Sequence, residues 1–196
     1  MKLSPDHGGK TYMKTFWVLA SFIAGSSVIA THTYTNNIPE KNRSKNSAPV
    51  GSVYIIIDKS DYELSLYDEQ GWYATYPVVF GNSSLSDKKM EGDKNTPEGV
   101  FHIASKRIHD RWDRFMALDY PTKESWEKFN QRKSRGEIPA SAKIGGGVGI
   151  HGTWPHEDFQ IDRYKNWTMG CISMKNEDVE DLYKYVPIGT KIIIRR

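Results

Sequence analysis

Three runs of β-branched and aromatic residues lie between residues 53 and 80. Apolar and polar positions alternate with a period of two most clearly in the second run, which is typical of a strand with one buried face. Polar clusters at residues 58–61 and 68–71 separate the runs and favour turns. The pattern therefore predicts a β-meander whose strands are residues 53–58, 62–67 and 72–80.

Two later runs predict further strands, at residues 100–105 and at residues 191–194. The first follows a Pro-Glu-Gly turn. Its inward face carries either Val100 or the pair Phe101 and Ile103, because a shift of one residue exchanges the two faces of a strand.

Two helices are predicted. Residues 123–135 are highly charged, follow the N-cap candidate Thr122 and have a narrow apolar stripe, which is typical of a surface helix; a flap beside a site is the alternative. Asn176 is the predicted N-cap of the second helix, in which apolar residues recur at i, i+3, i+4 and i+7 from Val179 to Val186. The fold expected is mainly β, with one or two short helices at its edge.

The N-terminal 30 residues show the pattern of a secretory signal. Lys10 and Lys14 precede residues 16–30, which are apolar or small and carry no charge. Because a spanning helix needs about 20 apolar residues, this run favours a cleaved signal over an uncleaved anchor. We therefore expect an exported protein of the periplasm or cell envelope, which contacts a membrane only if the segment is uncleaved.

Polar residues dominate positions 31–52, which predicts a flexible linker before one folded domain at residues 53–196. The net charge of +3 is too small and too dispersed to indicate a nucleic-acid partner. The glycine run at residues 145–149 lacks the lysine of a phosphate-binding loop, so nucleotide binding is not favoured. No motif indicates a cofactor.

Cys171 and His151 are the residues best suited to covalent chemistry. Gly170 lets a substrate backbone approach the sulfur and leaves its own N–H and that of Cys171 available to an oxyanion. A thiol needs a basic neighbour at neutral pH, and His151, beside Gly152, supplies one. The pair indicates acyl transfer, although each residue taken alone is more often structural.

A zinc site is the alternative use of the same residues. His151, His156 and Cys171 together with a water would suffice for a catalytic zinc ion. No acidic pattern that would orient such ligands accompanies them, so we expect no metal.

Three ordered motifs resemble the L,D-transpeptidase catalytic domain, also called the YkuD domain. They are residues 92–99 (GDKNTPEG), 150–153 (IHGT) and 166–172 (NWTMGCI). The resemblance implies a β-sandwich-like domain in which Cys171 is the nucleophile, His151 is the base and the Gly152 carbonyl orients the imidazole. It also implies that the substrate is the stem peptide of bacterial peptidoglycan.

Two positions depart from the pattern of many family members. Met169 stands where many have a second histidine, and Ser173 stands where many have Asn or Arg. These two residues and Thr168 are the expected substrate contacts. The branch of the family that resembles this pattern includes enzymes that hydrolyse or remodel rather than cross-link.

The expected function is that of a cysteine acyltransferase. Cys171 would form a thioester at the third-residue diamino acid of the stem with loss of D-alanine, and an amine of a second stem or of a wall-attached protein would take the acyl group. A hydrolase of the same fold, either an amidase or an endopeptidase, is the first alternative. A non-catalytic wall-binding module is the second.

Overall fold

An eight-stranded mixed sheet organises residues 47–196, which are the residues that the computed structural model describes. The signal or anchor predicted at residues 1–30 and the linker up to residue 46 lie outside the described residues. The strands are β1 (Tyr54–Asp58), β2 (Glu63–Asp68), β3 (Gly71–Pro77), β4 (Gly99–His109), β5 (Asp113–Leu118), β6 (Gly149–His151), β7 (Ile172–Ser173) and β8 (Lys191–Arg195).

The strand order is β3-β2-β1-β8-β4-β5-β6-β7. The β1–β8 and β6–β7 pairs are parallel and the other pairs are antiparallel. Just beyond β3, Val79 forms an antiparallel bridge with Ser173 of β7, which brings the two ends of the strand order together. The expected mainly β fold is confirmed, in the form of one sheet that curls on itself.

The predicted β-meander is present as β1, β2 and β3. Their inward positions, which include Ile55, Ile57, Leu64 and Leu66, are fully buried in the main core. The last residues of the predicted linker are held against the turn between β2 and β3, because the Val50 N–H donates to Asp68 at 2.8 Å.

Strand β4 is longer than the predicted strand at residues 100–105, because its first part pairs with β8 and its second part pairs with β5. Phe101 and Ile103 are buried, whereas Val100 is half exposed, which decides the register. The sequence did not predict β5, whose apolar residues are mixed with charges, or the short strands β6 and β7.

Residues 47–196 contain three helices, α1 (Lys123–Ser134), α2 (Phe159–Asp162) and α3 (Asn176–Tyr185). Thr122 is the N-cap of α1, as predicted, and its hydroxyl accepts the Ser125 N–H at 3.3 Å. The single turn α2 was not predicted. No helix within residues 47–196 has the length and apolar character needed to cross a membrane.

Asn176 is the first residue of α3 and not its N-cap, which corrects the prediction. Its side-chain oxygen accepts the Thr153 N–H at 3.0 Å instead of capping the helix. Asn176 therefore connects α3 to the loop that follows β6. The helix itself is fixed by Val179 and Leu182, which are fully buried.

Candidate active site

Four neighbouring strands place one residue each in a row across the sheet. Arg107 of β4 pairs with Phe115 of β5, Phe115 pairs with His151 of β6, and His151 pairs with Ser173 of β7. Residues at paired positions point to the same face of a sheet. We call these four residues the cross-strand row.

The His151 imidazole is buried, with 2% of the residue exposed. Its Nδ1 lies 2.7 Å from the Gly152 carbonyl oxygen. A carbonyl can only accept a hydrogen bond, so Nδ1 carries the proton and Nε2 keeps a free lone pair. Glycine is required at position 152, because a Cβ there would lie 2.9 Å from the Trp112 carbonyl oxygen.

Burial lowers the pKa of the His151 imidazole from 6.5 to about 4. The hydrogen bond to Gly152 acts in the opposite direction, and the nearby His109 adds to the lowering. The imidazole is therefore neutral at pH 7, and Nε2 can accept a proton.

Aromatic rings hold the imidazole in place. Trp112 stacks on His151 with ring centroids 4.6 Å apart, the Phe115 centroid lies at 6.0 Å, and Trp167 meets the imidazole edge-on at 5.6 Å. His109 stacks on Trp112 at 4.5 Å. The motifs do not include Trp112, in the turn between β4 and β5, or Phe115 of β5, and only their places beside His151 in the folded chain identify them.

Cys171 directly precedes β7 and is half-buried. Its thiol donates to the Gly147 carbonyl at 3.5 Å. Burial raises the pKa of the thiol, although the Gly149 N–H and the positive charge of Lys88 act in the opposite direction. At rest the site therefore pairs a neutral thiol with a neutral imidazole, and not a thiolate with an imidazolium.

A cavity of about 480 Å³ has both Cys171 and His151 in its lining. The other lining residues are mostly aromatic or apolar, and Met169, with 66% of its surface exposed, lies at the rim. Helix α1 contributes no residue to this lining, so the flap interpretation of that helix gains no support.

The loop formed by residues 168–171 is organised by Thr168, which is buried. Its hydroxyl donates to the Cys171 carbonyl at 2.8 Å and accepts the Gly170 N–H at 3.1 Å. The expected availability of the Gly170 N–H to an oxyanion is therefore wrong for this conformation. Gly170 itself has a φ of +124°, and a Cβ at this position would lie 2.9 Å from the Asn95 carbonyl oxygen.

The motif at residues 92–99 lies against this loop. The Thr96 hydroxyl donates to the Gly170 carbonyl at 3.1 Å. Asp93 accepts the buried Lys88 ammonium at 2.9 Å and the Asn95 N–H at 2.9 Å. This motif therefore supports the loop at residues 168–171, and the buried Lys88 contributes to that support, which the sequence did not reveal.

Ser173 has no exposed surface, which does not fit the substrate contact expected for it. Its hydroxyl donates to the Gly152 carbonyl at 3.3 Å, the same oxygen that accepts the His151 Nδ1–H. Ser173 is therefore a positioning residue that acts through Gly152.

We expect Ser173→Ala to lower kcat by less than about 10-fold and to leave KM unchanged. The substitution removes one neutral hydrogen bond, to the Gly152 carbonyl that holds the His151 imidazole. Steady-state kinetics with the stem peptide that the resemblance implies as substrate would check this. A substrate contact at Ser173 would instead show as a raised KM with an unchanged kcat.

His156, the third candidate zinc ligand, is exposed on the loop that follows β6. Within residues 47–196 no group of three or more His, Cys, Asp or Glu side chains is arranged to hold a metal ion. The structure therefore does not assemble the proposed set of His151, His156 and Cys171.

Comparison with known proteins agrees with the family resemblance of the sequence motifs. Residues 52–194 match the YkuD family, the L,D-transpeptidase catalytic domain. A putative L,D-transpeptidase of Bacillus subtilis, YqjB, is 27% identical over 148 residues, which cover 74% of this chain and 72% of YqjB.

Two solved structures share the fold. One is the helical cell shape determining protein Pgp2 of Campylobacter jejuni, with a TM-score of 0.55, 25% identity and 74% of this chain covered. The other is Bd1075 of Bdellovibrio bacteriovorus, with a TM-score of 0.52, 21% identity and the same coverage. This chain covers 48% of each of those two proteins.

Proposed function

Because the chain belongs to the L,D-transpeptidase catalytic domain family, we propose that it is a cysteine acyltransferase that acts on peptidoglycan stem peptides. The observation that carries the proposal is that Cys171 and a neutral, fixed His151 line one apolar cavity. The description of the relative Pgp2 as a cell shape determining protein supports a role in cell-wall remodelling.

The first half of the proposed reaction acylates the enzyme. The His151 Nε2 takes the thiol proton while the Cys171 sulfur attacks the carbonyl carbon of the third stem residue, a diamino acid. The Cys171 N–H stabilises the oxyanion of the tetrahedral intermediate. The intermediate expels D-alanine, whose amine receives the proton from His151, and a thioester remains on Cys171.

The neutral resting pair gives His151 a defined role in this step. A thiol whose pKa is raised by burial is mostly protonated at pH 7, so the proton must leave as the carbon–sulfur bond forms. An imidazole with a pKa of about 4 is unprotonated at that pH and available to act as the base.

The second half transfers the acyl group to an acceptor. An amine of a second stem or of a wall-attached protein attacks the thioester, His151 takes its proton, and the thiol is restored. If water attacks instead, the product is a free acid and the enzyme is a hydrolase. The apolar lining and the exposed Met169 at the rim favour transfer, because they limit the access of water to the thioester.

The decisive experiment incubates the purified protein with a defined stem tetrapeptide, with and without a diamino-acid amine acceptor, and identifies the products by mass spectrometry. We expect a new amide in preference to free tripeptide. Dominance of the tripeptide at saturating acceptor would replace the transferase with the hydrolase. No product from any stem peptide would favour the wall-binding module.

Export to the periplasm or cell envelope is part of the proposal and rests on the pattern of residues 1–30. Mass spectrometry of the protein recovered from cells would show a mature N-terminus near residue 31. Detection of intact residues 16–30 on that protein would favour a membrane anchor.

A further inference from the structure

Arg107, the first member of the cross-strand row, is exposed and lines the cavity that contains Cys171 and His151. With His151 neutral, it is the one charged side chain in that lining within the described part of the chain. The guanidinium carries a permanent positive charge. The cavity is therefore mostly apolar and contains one fixed cation.

The position of Arg107 is set by its neighbours in the sheet. Its Cζ lies 4.9 Å from the centroid of the Phe115 ring, which holds the guanidinium by a cation–π contact. The Phe115 centroid in turn lies 6.0 Å from the His151 ring. The charge is thereby held two strands away from the catalytic base, on the same face of the sheet.

No carboxylate within residues 47–196 forms an ion pair with Arg107. Arg114 on β5 and Arg132 on α1, in contrast, each contact an acidic side chain at 2.6 Å. A guanidinium with no acidic partner of its own, held at the edge of an apolar cavity, offers its donors to an anion that enters from solvent.

We propose that Arg107 binds a carboxylate of the donor peptide and so selects which peptide is presented to Cys171. This inference rests on the proposed function. Two carboxylates of the donor lie close enough to the attacked carbonyl to reach Arg107 while that carbonyl is at Cys171. They are the C-terminal carboxylate of the departing D-alanine and a carboxylate at the end of the diamino-acid side chain. The first is about one residue length from the carbonyl, roughly 3.8 Å, and the second is about twice as far.

The kinetic test uses three donor tetrapeptides, one with both carboxylates free, one amidated at the C-terminus and one amidated on the diamino-acid side chain. In the wild type, amidation of the bound carboxylate should raise KM by about 10-fold or more, with kcat within about 3-fold. Arg107→Gln should raise KM for the donor with both carboxylates free by a similar factor. The variant should then have the same KM for this donor and for the donor amidated at the bound carboxylate. Arg107→Lys should retain part of the discrimination.

Arg111→Gln is the matched control. Arg111 is an exposed arginine that lies over the Trp154 ring and does not line the cavity. The Arg111→Gln variant should discriminate among the three donors as the wild type does. If Arg107→Gln also discriminates as the wild type does, or if the wild type does not discriminate between free and amidated donors, the proposal is wrong.

A second measurement separates this proposal from the proposed function, because it needs no peptide. Iodoacetate and iodoacetamide alkylate the same thiol but differ by one negative charge. Arg107→Gln should lower the rate of alkylation of Cys171 by iodoacetate relative to the rate with iodoacetamide by about 3-fold to 10-fold. Arg111→Gln should leave this ratio unchanged. If the wild type turns over no peptide, the proposed function fails, and an unchanged rate ratio would then also exclude the anion site.

Discussion

Cys171→Ala is expected to abolish turnover of the stem tetrapeptide, with a loss of about 10⁴-fold or more, because the sequence contains no second cysteine that could form the thioester. The fold should be retained, since a small half-buried side chain is exchanged for a smaller one. Product formation measured by mass spectrometry and circular dichroism of the variant would check both parts.

Cys171→Ser tests the same assignment with a closer shape. A serine hydroxyl ionises far less readily than a thiol, so this variant should also be nearly inactive despite its similar size. Cys171 is the single cysteine of the chain, so an acyl adduct that intact mass detects in the wild type and not in Cys171→Ala is assigned to its thiol. A variant that kept half of the wild-type rate would exclude Cys171 as the nucleophile.

His151→Gln is expected to lower kcat/KM by about 10²-fold to 10⁴-fold at pH 7, because the variant lacks both the base for the thiol and the acid for the leaving amine. The wild-type rate should persist down to about pH 5 and fall as the pH drops through about 4, where the imidazole becomes protonated. The variant should lack this acid limb, and its rate should rise with pH as the thiol ionises without a base.

The same pKa predicts how stability depends on pH. Between pH 6.5 and about 4 the unfolded chain binds a proton at His151 that the folded chain does not. Protonation of His151 in the unfolded chain therefore lowers the free energy of unfolding by up to about 3 kcal/mol as the pH falls from 6.5 to about 4. Above pH 6.5 this loss is absent. Chemical denaturation at several pH values should show this decrease in the wild type but not in His151→Gln.

Two histidines provide controls for the loss of activity. His156→Gln changes an exposed side chain, and His109→Gln changes a ring that contacts Trp112 and does not line the cavity. Both variants should keep most of the activity. Equal losses at His109, His151 and His156 would instead indicate a metal site, and a chelator should then inactivate the wild type.

The sequence by itself determined the parts of the fold whose signals are local. Alternation of apolar residues in β2 and the i, i+3, i+4 pattern of α3 each lie within one element, so the meander and the C-terminal helix could be predicted from a short window. The motif at residues 166–172 likewise identified the loop that bears Cys171, because the residues of that loop are contiguous.

Tertiary structure alone decided the environment of those residues. The cross-strand row joins positions as far apart as Arg107 and Ser173. Their neighbours depend on how β4, β5, β6 and β7 pair in that order, and no pattern within a single strand encodes this pairing. The burial of Ser173, the use of the Gly170 N–H by Thr168 and the neutral state of His151 arise in the same way. Desolvation and hydrogen-bond partners belong to the packed assembly of strands, so no local pattern in the chain encodes them.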